Sequence, residues 1–182
     1  FRNTDVHWID IPSGKLRTVE VQLDRSVDDF WGTTSTVGSP DDRELAFFLY
    51  YDRGDHVMID IVVAAADGTA VRRFPYRSSK DGLIYFGKFA LTPSSSYPGQ
   101  RLEWSSDGRF LFFPEYLPKN RLARLDVRSG EKSTVFEVDG GLRDFDLSDD
   151  GGSLLTSIET QVSDAVILRP IESAAGRSEN DF

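Results

Sequence analysis

The 182-residue chain contains no cysteine. That removes disulfides, thiolate nucleophiles and sulfur-ligated metals together. Histidine is nearly absent too: His7 and His56 are the two present, both on strand-forming stretches, and they read as structural residues. Clusters of Lys and Arg are lacking, and 30 acidic against 21 basic residues leave a formal net charge of −9, which argues against a phosphate-binding surface for nucleic acid. No apolar run approaches the roughly 20 residues needed to span a bilayer as a helix. The opening FRNTDVHWID lacks the basic-then-apolar layout of a signal peptide. Since the chain starts at Phe1 and not at Met, the expectation is a processed or excised product. Catalytic signatures are missing as well: there is no Gly-x-Ser-x-Gly elbow, no His-Glu-x-x-His and no Gly-rich phosphate loop. Hence no catalytic residue, metal ligand or cofactor is expected.

What is present is a repeat. The stretch Trp104 to Val138 with its entering strand Arg101-Leu-Glu-Trp104 reads as four strands joined by three connections. A Ser-Asp-Gly turn at Ser106, Asp107 and Gly108 leads into RFLFF, the connection PEYLPKN into LARLDV, and a Ser-Gly turn at Ser129 and Gly130 into KSTVFEV. Aspartate bonds its own downstream backbone in such turns and glycine supplies the positive φ of a tight hairpin. The same unit recurs around Ser39-Pro40-Asp41-Asp42, with ELAFFLYY, the connection Asp52 to His56, VMIDIVVA, the Asp67-Gly68 turn and VRRFPY. Asp5 to Val21 matches its second half only. GLRDFDL, the run Ser148 to Gly152, SLLTSI and AVILRPI form a fourth copy with three strands, in which Gly152 reads as an extra residue.

Spacing and polarity identify the architecture. Asp41 and Asp107 lie 66 residues apart and Asp107 and Asp150 43 apart. The second value is close to the ~40–45 residues of one propeller blade, and the first exceeds it by one insertion, placed at Ser78 to Gln100. ELAFFLYY and RFLFF are nearly continuous apolar runs, as a strand sandwiched between neighbouring blades requires, whereas LRTVEV and STVFEV alternate like a partly solvated outer strand. The expected fold is all-β, a partial β-propeller of about three to four blades, each a four-stranded antiparallel meander. Approximate blades fall at 1–24, 25–78, 79–138 and 139–172, with a polar tail at 173–182. A β-sandwich would need long Greek-key crossovers that the hairpin spacing does not provide. So short a ring predicts bare, apolar end faces, and therefore missing blades on a longer parent or on another chain.

The phrases WSSDGRFLFF, RLARLDVRSGEKSTVF and LRDFDLSDDGGSLL resemble the TolB-type, WD-like propeller repeat, in which an aspartate turn precedes an apolar strand and a Leu-Asp strand precedes a Ser-Gly or Thr-Gly turn. The resemblance covers most of Asp5 to Ile171. Asp42 departs from it by replacing a turn glycine, and Lys80 to Tyr97 matches nothing. It implies a repeat scaffold of the kind found in bacterial envelope complexes, and hence a periplasmic or extracellular location. It is unspecific for activity, because propellers host unrelated functions.

In a meander the tight turns gather at one end and the longer connections at the other. The face expected to bind therefore carries Tyr85, Phe86, Phe89 and Tyr97 from the insertion, with Tyr116, Lys119, Arg53 and Arg101 nearby. Exposed aromatics with an occasional arginine suit protein or peptide recognition; the same aromatics also fit one more buried strand. Asp146 to Gly151 opens like a calcium loop, but Ser157 stands where the twelfth-position glutamate belongs. Arg53-Gly54-Asp55 is a tripeptide common by chance in turns. The functional expectation is a non-enzymatic propeller scaffold that binds a protein or peptide partner. The alternative is the substrate-gating propeller portion of a larger prolyl-oligopeptidase-like serine hydrolase.

Overall fold

The computed structural model describes residues 2–23, 29–79, 101–115 and 120–159. Among them are twelve strands: β1 (Arg2–Asp10), β2 (Lys15–Leu23), β3 (Asp29–Gly38), β4 (Glu44–Arg53), β5 (His56–Ala65), β6 (Arg72–Ser79), β7 (Glu103–Trp104), β8 (Phe110–Glu115), β9 (Asn120–Asp126), β10 (Lys132–Val138), β11 (Gly141–Leu147) and β12 (Leu154–Glu159). They pair as a β1-β2 hairpin, two four-stranded antiparallel meanders, β3-β4-β5-β6 and β7-β8-β9-β10, and a β11-β12 hairpin. Neighbours in sequence are neighbours in the sheet. Tyr85, Phe86, Phe89, Tyr97, Tyr116, Lys119 and the stretch AVILRPI, expected as a strand, lie outside the described residues.

The four sheets stack in chain order, and alternation along β4 shows how. Leu45, Phe47, Leu49 and Tyr51 join Val6, Val19, Val21 and Leu23 of the first hairpin in one buried cluster. Ala46, Phe48 and Tyr50 point the other way and meet Leu111, Phe113, Ala123 and Leu125 of the third sheet. That sheet's far side, through Leu122, Phe112 and Phe136, packs on Leu142 and Phe145 of the last hairpin. Strand β4 is buried over Leu45 to Tyr51 without a break, so the apolar run expected of a blade's middle strand is present. The chain folds as a partial propeller: successive antiparallel meanders, each covering the flank of the next. Among the described residues the ring is not closed.

Turn chemistry sets the ends of the sheets. Ser39 Oγ donates to Asp41 Oδ1 at 2.7 Å and accepts the Glu44 N–H at 2.9 Å. Ser105 and Asp107 do the same ahead of Phe110, and Ser148 and Asp150 ahead of Ser153. The left-handed corner is Gly108 (φ 64) and Gly151 (φ 67), and in the first turn it is Asp42 (φ 56). Aspartate tolerates that region better than most residues, which explains how the departure from glycine is accommodated. All three turns span equal lengths, so Gly152 occupies the place of Arg109 and is not an extra residue. The turns also touch: a Cβ on Gly108 would lie 3.9 Å from Pro40 and one on Gly151 3.1 Å from Ser106 Oγ. The Ser-Asp turns thus line up at one end of the stack.

Two expectations need correction. The Asp52 to His56 connection is not long: β4 and β5 pair up to Arg53 opposite His56, leaving Gly54 and Asp55 as a tight turn with Gly54 at φ 65. The first hairpin's outer face is not broadly apolar either. Asp5, His7, Thr18, Glu20 and Gln22 are exposed on it, and its apolar exposure is confined to the turn end, at Ile9, Leu16 and Ile11.

Side chains fasten the second sheet to the third. Arg72 donates to the Val127 carbonyl at 2.6 Å and Tyr76 to the Pro114 carbonyl at 2.5 Å, and the Lys132 ammonium reaches the Pro75 carbonyl. Within the second sheet, Asp60 is buried. It accepts the Tyr51 hydroxyl at 3.0 Å and two Arg73 N–H groups at 3.0 and 2.7 Å.

Candidate functional site

The strands β3, β7 and β11 are the first of their sheets, and each is an edge of its sheet. β3 and β7 are badly matched. β3 runs for ten residues and β7 for two, and β3 does not stay regular. Its register with β4 slips between Thr34 and Val37, so Ser35 and Thr36 bulge out of the ladder, with Ser35 at φ 56. A non-glycine residue in the left-handed region costs about 1–2 kcal/mol. Bulges of this kind re-aim side chains at the rims of sheets.

Where the bulge faces β7, a cavity of about 430 Å³ opens, lined by Ser35, Thr36, Val37, Gly38 and Pro40 on one side and by Arg101, Leu102, Glu103 and Trp104 on the other. Trp8 of the first hairpin supports it from behind, with a ring atom only 2.5 Å from where a Cβ on Gly38 would be. Any larger residue at that position would displace the indole.

The charges on the β7 side belong to a single group. Arg101 donates to Asp146 Oδ1 at 2.7 Å and Asp144 Oδ1 at 3.4 Å, lies 3.6 Å from Glu103 Oε2, and stacks 5.8 Å from the Phe145 ring. Glu103 Oε1 accepts the Leu147 N–H at 3.1 Å, whereas Oε2 is buried without a hydrogen bond. Burial raises the Glu103 carboxyl above its ordinary range, with Asp146 adding to the effect and the Leu147 N–H and Arg101 opposing it. Among the described side chains, three carboxylates share the Arg101 guanidinium. The Trp104 indole N–H is buried and also lacks a partner.

Of the residues expected at a binding face, Arg101 and Arg53 are described, and they do not come together. Arg53 is exposed beside the Gly54-Asp55 turn, while Arg101 sits in the cavity wall and ties β7 to β11. Sequence reading did not single out Glu103, Trp104 or the Ser35-Thr36 bulge. A signal existed: Arg101 and Glu103 alternate as charges on a first strand, and the Thr33-Thr34-Ser35-Thr36 hydroxyl run interrupts an otherwise apolar sheet. The Asp146 to Gly151 run is an ordinary turn, with Asp150 accepting from Ser148 and the Gly152 N–H. Among the described residues no three His, Asp or Glu side chains converge to hold a metal ion, and no helix is long and apolar enough to cross a membrane.

The class that this geometry defines is an all-β, partial propeller with a polar cavity at the inner edge of its second and third sheets. No protein-family profile matches the sequence, and no curated protein matches it. Among solved structures, the chain is similar to the acylaminoacyl peptidase of Pyrococcus horikoshii, at TM-score 0.47 and 11% identity over 75% of this chain and 19% of that one. It is also similar to two proteins designated 6-phosphogluconolactonases, from Bacteroides uniformis (TM-score 0.36, 12% identity) and Bacteroides fragilis (TM-score 0.35, 14% identity), each covering 86% of this chain and 57% of that one. The chain thus spans about a fifth to somewhat over half of the length of these structures.

Proposed function

We propose that the chain is a non-enzymatic propeller scaffold that binds a protein or peptide partner. The observation that supports this reading is the segregation of connections. The Ser-Asp turns pack side by side at one end. Because every pairing is antiparallel, the segments 80–102 and 116–119 leave from the opposite end, carrying Tyr85, Phe86, Phe89, Tyr97, Tyr116 and Lys119. Aromatics with scattered cations suit partner recognition. The remaining blades of the ring would come from a longer parent or from another chain. The test is binding to an array of synthetic peptides. Tyr97→Ser with Tyr116→Ser should abolish capture while shifting Tm by less than about 2 °C, within what a surface change produces. A collapse of Tm would place both rings in the core and overturn the assignment of that face. A Gly-x-Ser-x-Gly strand-to-helix pattern following in the parent sequence would instead favour the gating propeller of a serine hydrolase.

A further inference from the structure

Each four-stranded meander divides into an inner hairpin that carries a Ser-Asp turn, β3-β4 or β7-β8, and an outer hairpin, β5-β6 or β9-β10. The last hairpin is an inner one, since its Ser148 turn repeats those of Ser39 and Ser105. The first is an outer one, as the turn glycines show. A Cβ on Gly130 would meet Phe74, six residues past Gly68, and a Cβ on Gly68 would meet Glu20, six residues past Gly14. The β1-β2 hairpin thus stands to the second sheet as β5-β6 stands to the third. The described strands therefore amount to an outer half-blade, two whole blades and an inner half-blade.

Both halves leave surface bare where a neighbour belongs. At the start, a Cβ on Gly14 would meet nothing within 4 Å. Ile9, just ahead of that turn, is 64% exposed, whereas Ala64 and Leu125, just ahead of the equivalent turns, are enclosed against the preceding sheet. At the end, the third sheet's far flank is covered only over its inner part, where Leu122 and Phe112 pack on the last hairpin. Arg124, opposite Phe112, and Ser133, opposite Arg124, share that flank and are exposed. Phe110 is half-buried there, 4.8 Å from the Arg109 guanidinium and 4.6 Å from that of Arg124. Charge matches these two surfaces. The first hairpin's outer flank sets Asp5 directly opposite Glu20, both exposed, and like charges so placed are unfavourable within one sheet. Arg124 donates to Ser133 and pairs with no carboxylate among the described residues. Two strand edges are open as well: among the described residues β1 pairs only with β2 and β12 only with β11, and such edges are templates for a further strand.

We propose that a second copy of this chain fills both gaps. β1 of one copy pairs antiparallel with β12 of the other, as β5 pairs with β4, and the outer flank of β1-β2 lies on β9-β10 of that other copy, bringing Asp5 and Glu20 to Arg124. The same closure sets Leu155, 75% exposed on the far side of the last hairpin, against β3 of the second copy. The blade count fixes the number of copies. Closed rings have about 4–8 blades; twelve strands make three blades, so one copy is too short, three copies are too long, and two close a six-bladed ring with two-fold symmetry. This inference names the other chain that the scaffold reading leaves open, and it uses a surface distinct from the Tyr97 and Tyr116 face. The competing occupant of the place beside β12 is the chain's own stretch AVILRPI.

The test is sedimentation equilibrium of the full 182-residue chain across the micromolar range. The expected result is a reversible species of twice the 20.4 kDa chain mass. Arg124→Glu should raise the dimer Kd at least about 10-fold with the β-sheet circular dichroism retained, and Asp5→Lys with Glu20→Lys, made without it, should do the same. Combining all three substitutions should restore the dimer, which a mere loss of folding would not do. A monomer at every concentration overturns the proposal and leaves the gaps to AVILRPI or to further chain. A dimer unaffected by Arg124→Glu, a triple variant that stays monomeric, or open-ended assemblies larger than a dimer overturn it too. The two readings fail separately: a monomer that still captures array peptides through Tyr97 and Tyr116 keeps the scaffold reading, and a dimer that captures none keeps this one.

Discussion

The two complete meanders, β3 to β6 and β7 to β10, are built on the same turns but not on the same strands. The first has strands of ten, ten, ten and eight residues, the second of two, six, seven and seven. In the first, β4 and β5 are buried on both flanks, with Phe47, Phe48, Ile59, Ile61 and Val62 fully enclosed. In the second, Leu111 and Phe113 are enclosed on the side facing its long neighbour, but Phe112 on the other flank is only half-buried. Identical turn chemistry therefore fixes where sheets begin without fixing how long they run. The bulge at Ser35 is a slip of β3 against β4, and the cavity lies between it and the two-residue β7.

Truncation of the core is the strongest way to break this comparison. Phe48→Ala removes a ring in contact with both Tyr76 and the third sheet, and should cost about 3–5 kcal/mol in a denaturant titration. Phe112→Ala should cost less than half of that. Equal losses would mean that the shorter meander is as tightly packed as the longer one. Next comes the ion pair of the longer sheet. Asp60→Ala takes the carboxylate from Arg73, whose side chain is 15% exposed beside a 5% exposed Asp60 side chain, and removal of one partner from such a pair costs about 3–5 kcal/mol, reduced here by Arg73's access to water. Replacing both residues with apolar ones should recover most of that loss, and a double variant as weak as the single one would show that Asp60 acts through Tyr51 instead.

The turns should give the smallest effect, and a shared one. Hydrogen bonds from Ser39, Ser105 and Ser148 hold the Asp41, Asp107 and Asp150 carboxyls below their ordinary value of 3.8, helped by main-chain N–H groups. Their folded values lie below the unfolded ones, so the stability they contribute is present above about pH 4 and is lost as pH falls through the folded values. Ser39→Ala should lower Tm by about 2–4 °C at neutral pH and flatten the acid limb of the stability curve. A variant with an unchanged acid limb would assign that limb to other carboxylates.

How much was legible follows the same division. The three Ser-Asp turns, the two-sided burial of ELAFFLYY and the alternation of LRTVEV all appear in the sequence, because turn chemistry and strand period are local properties. The connection at Asp52 to His56 was misjudged because β4 continues through Asp52, a residue with weak strand preference, and Arg53, held opposite Val57 and His56 in the ladder. The cavity was not legible at all. It lies between two strands whose turns are 66 residues apart, a juxtaposition that no window of neighbouring residues records. Arg101 was singled out for the loop-rich face; its guanidinium, 39% exposed, bridges Glu103 and Asp146, a pairing that the sequence does not show.

The three fasteners described between the second and third sheets end on carbonyl oxygens: those of Val127, Pro114 and Pro75. A carbonyl is offered by every amino acid, so Arg72, Tyr76 and Lys132 grip a neighbour whatever side chain it bears. Each layer can then exchange its surface residues without renegotiating its attachment, which lets adjacent copies of one repeat diverge in sequence while remaining bolted together.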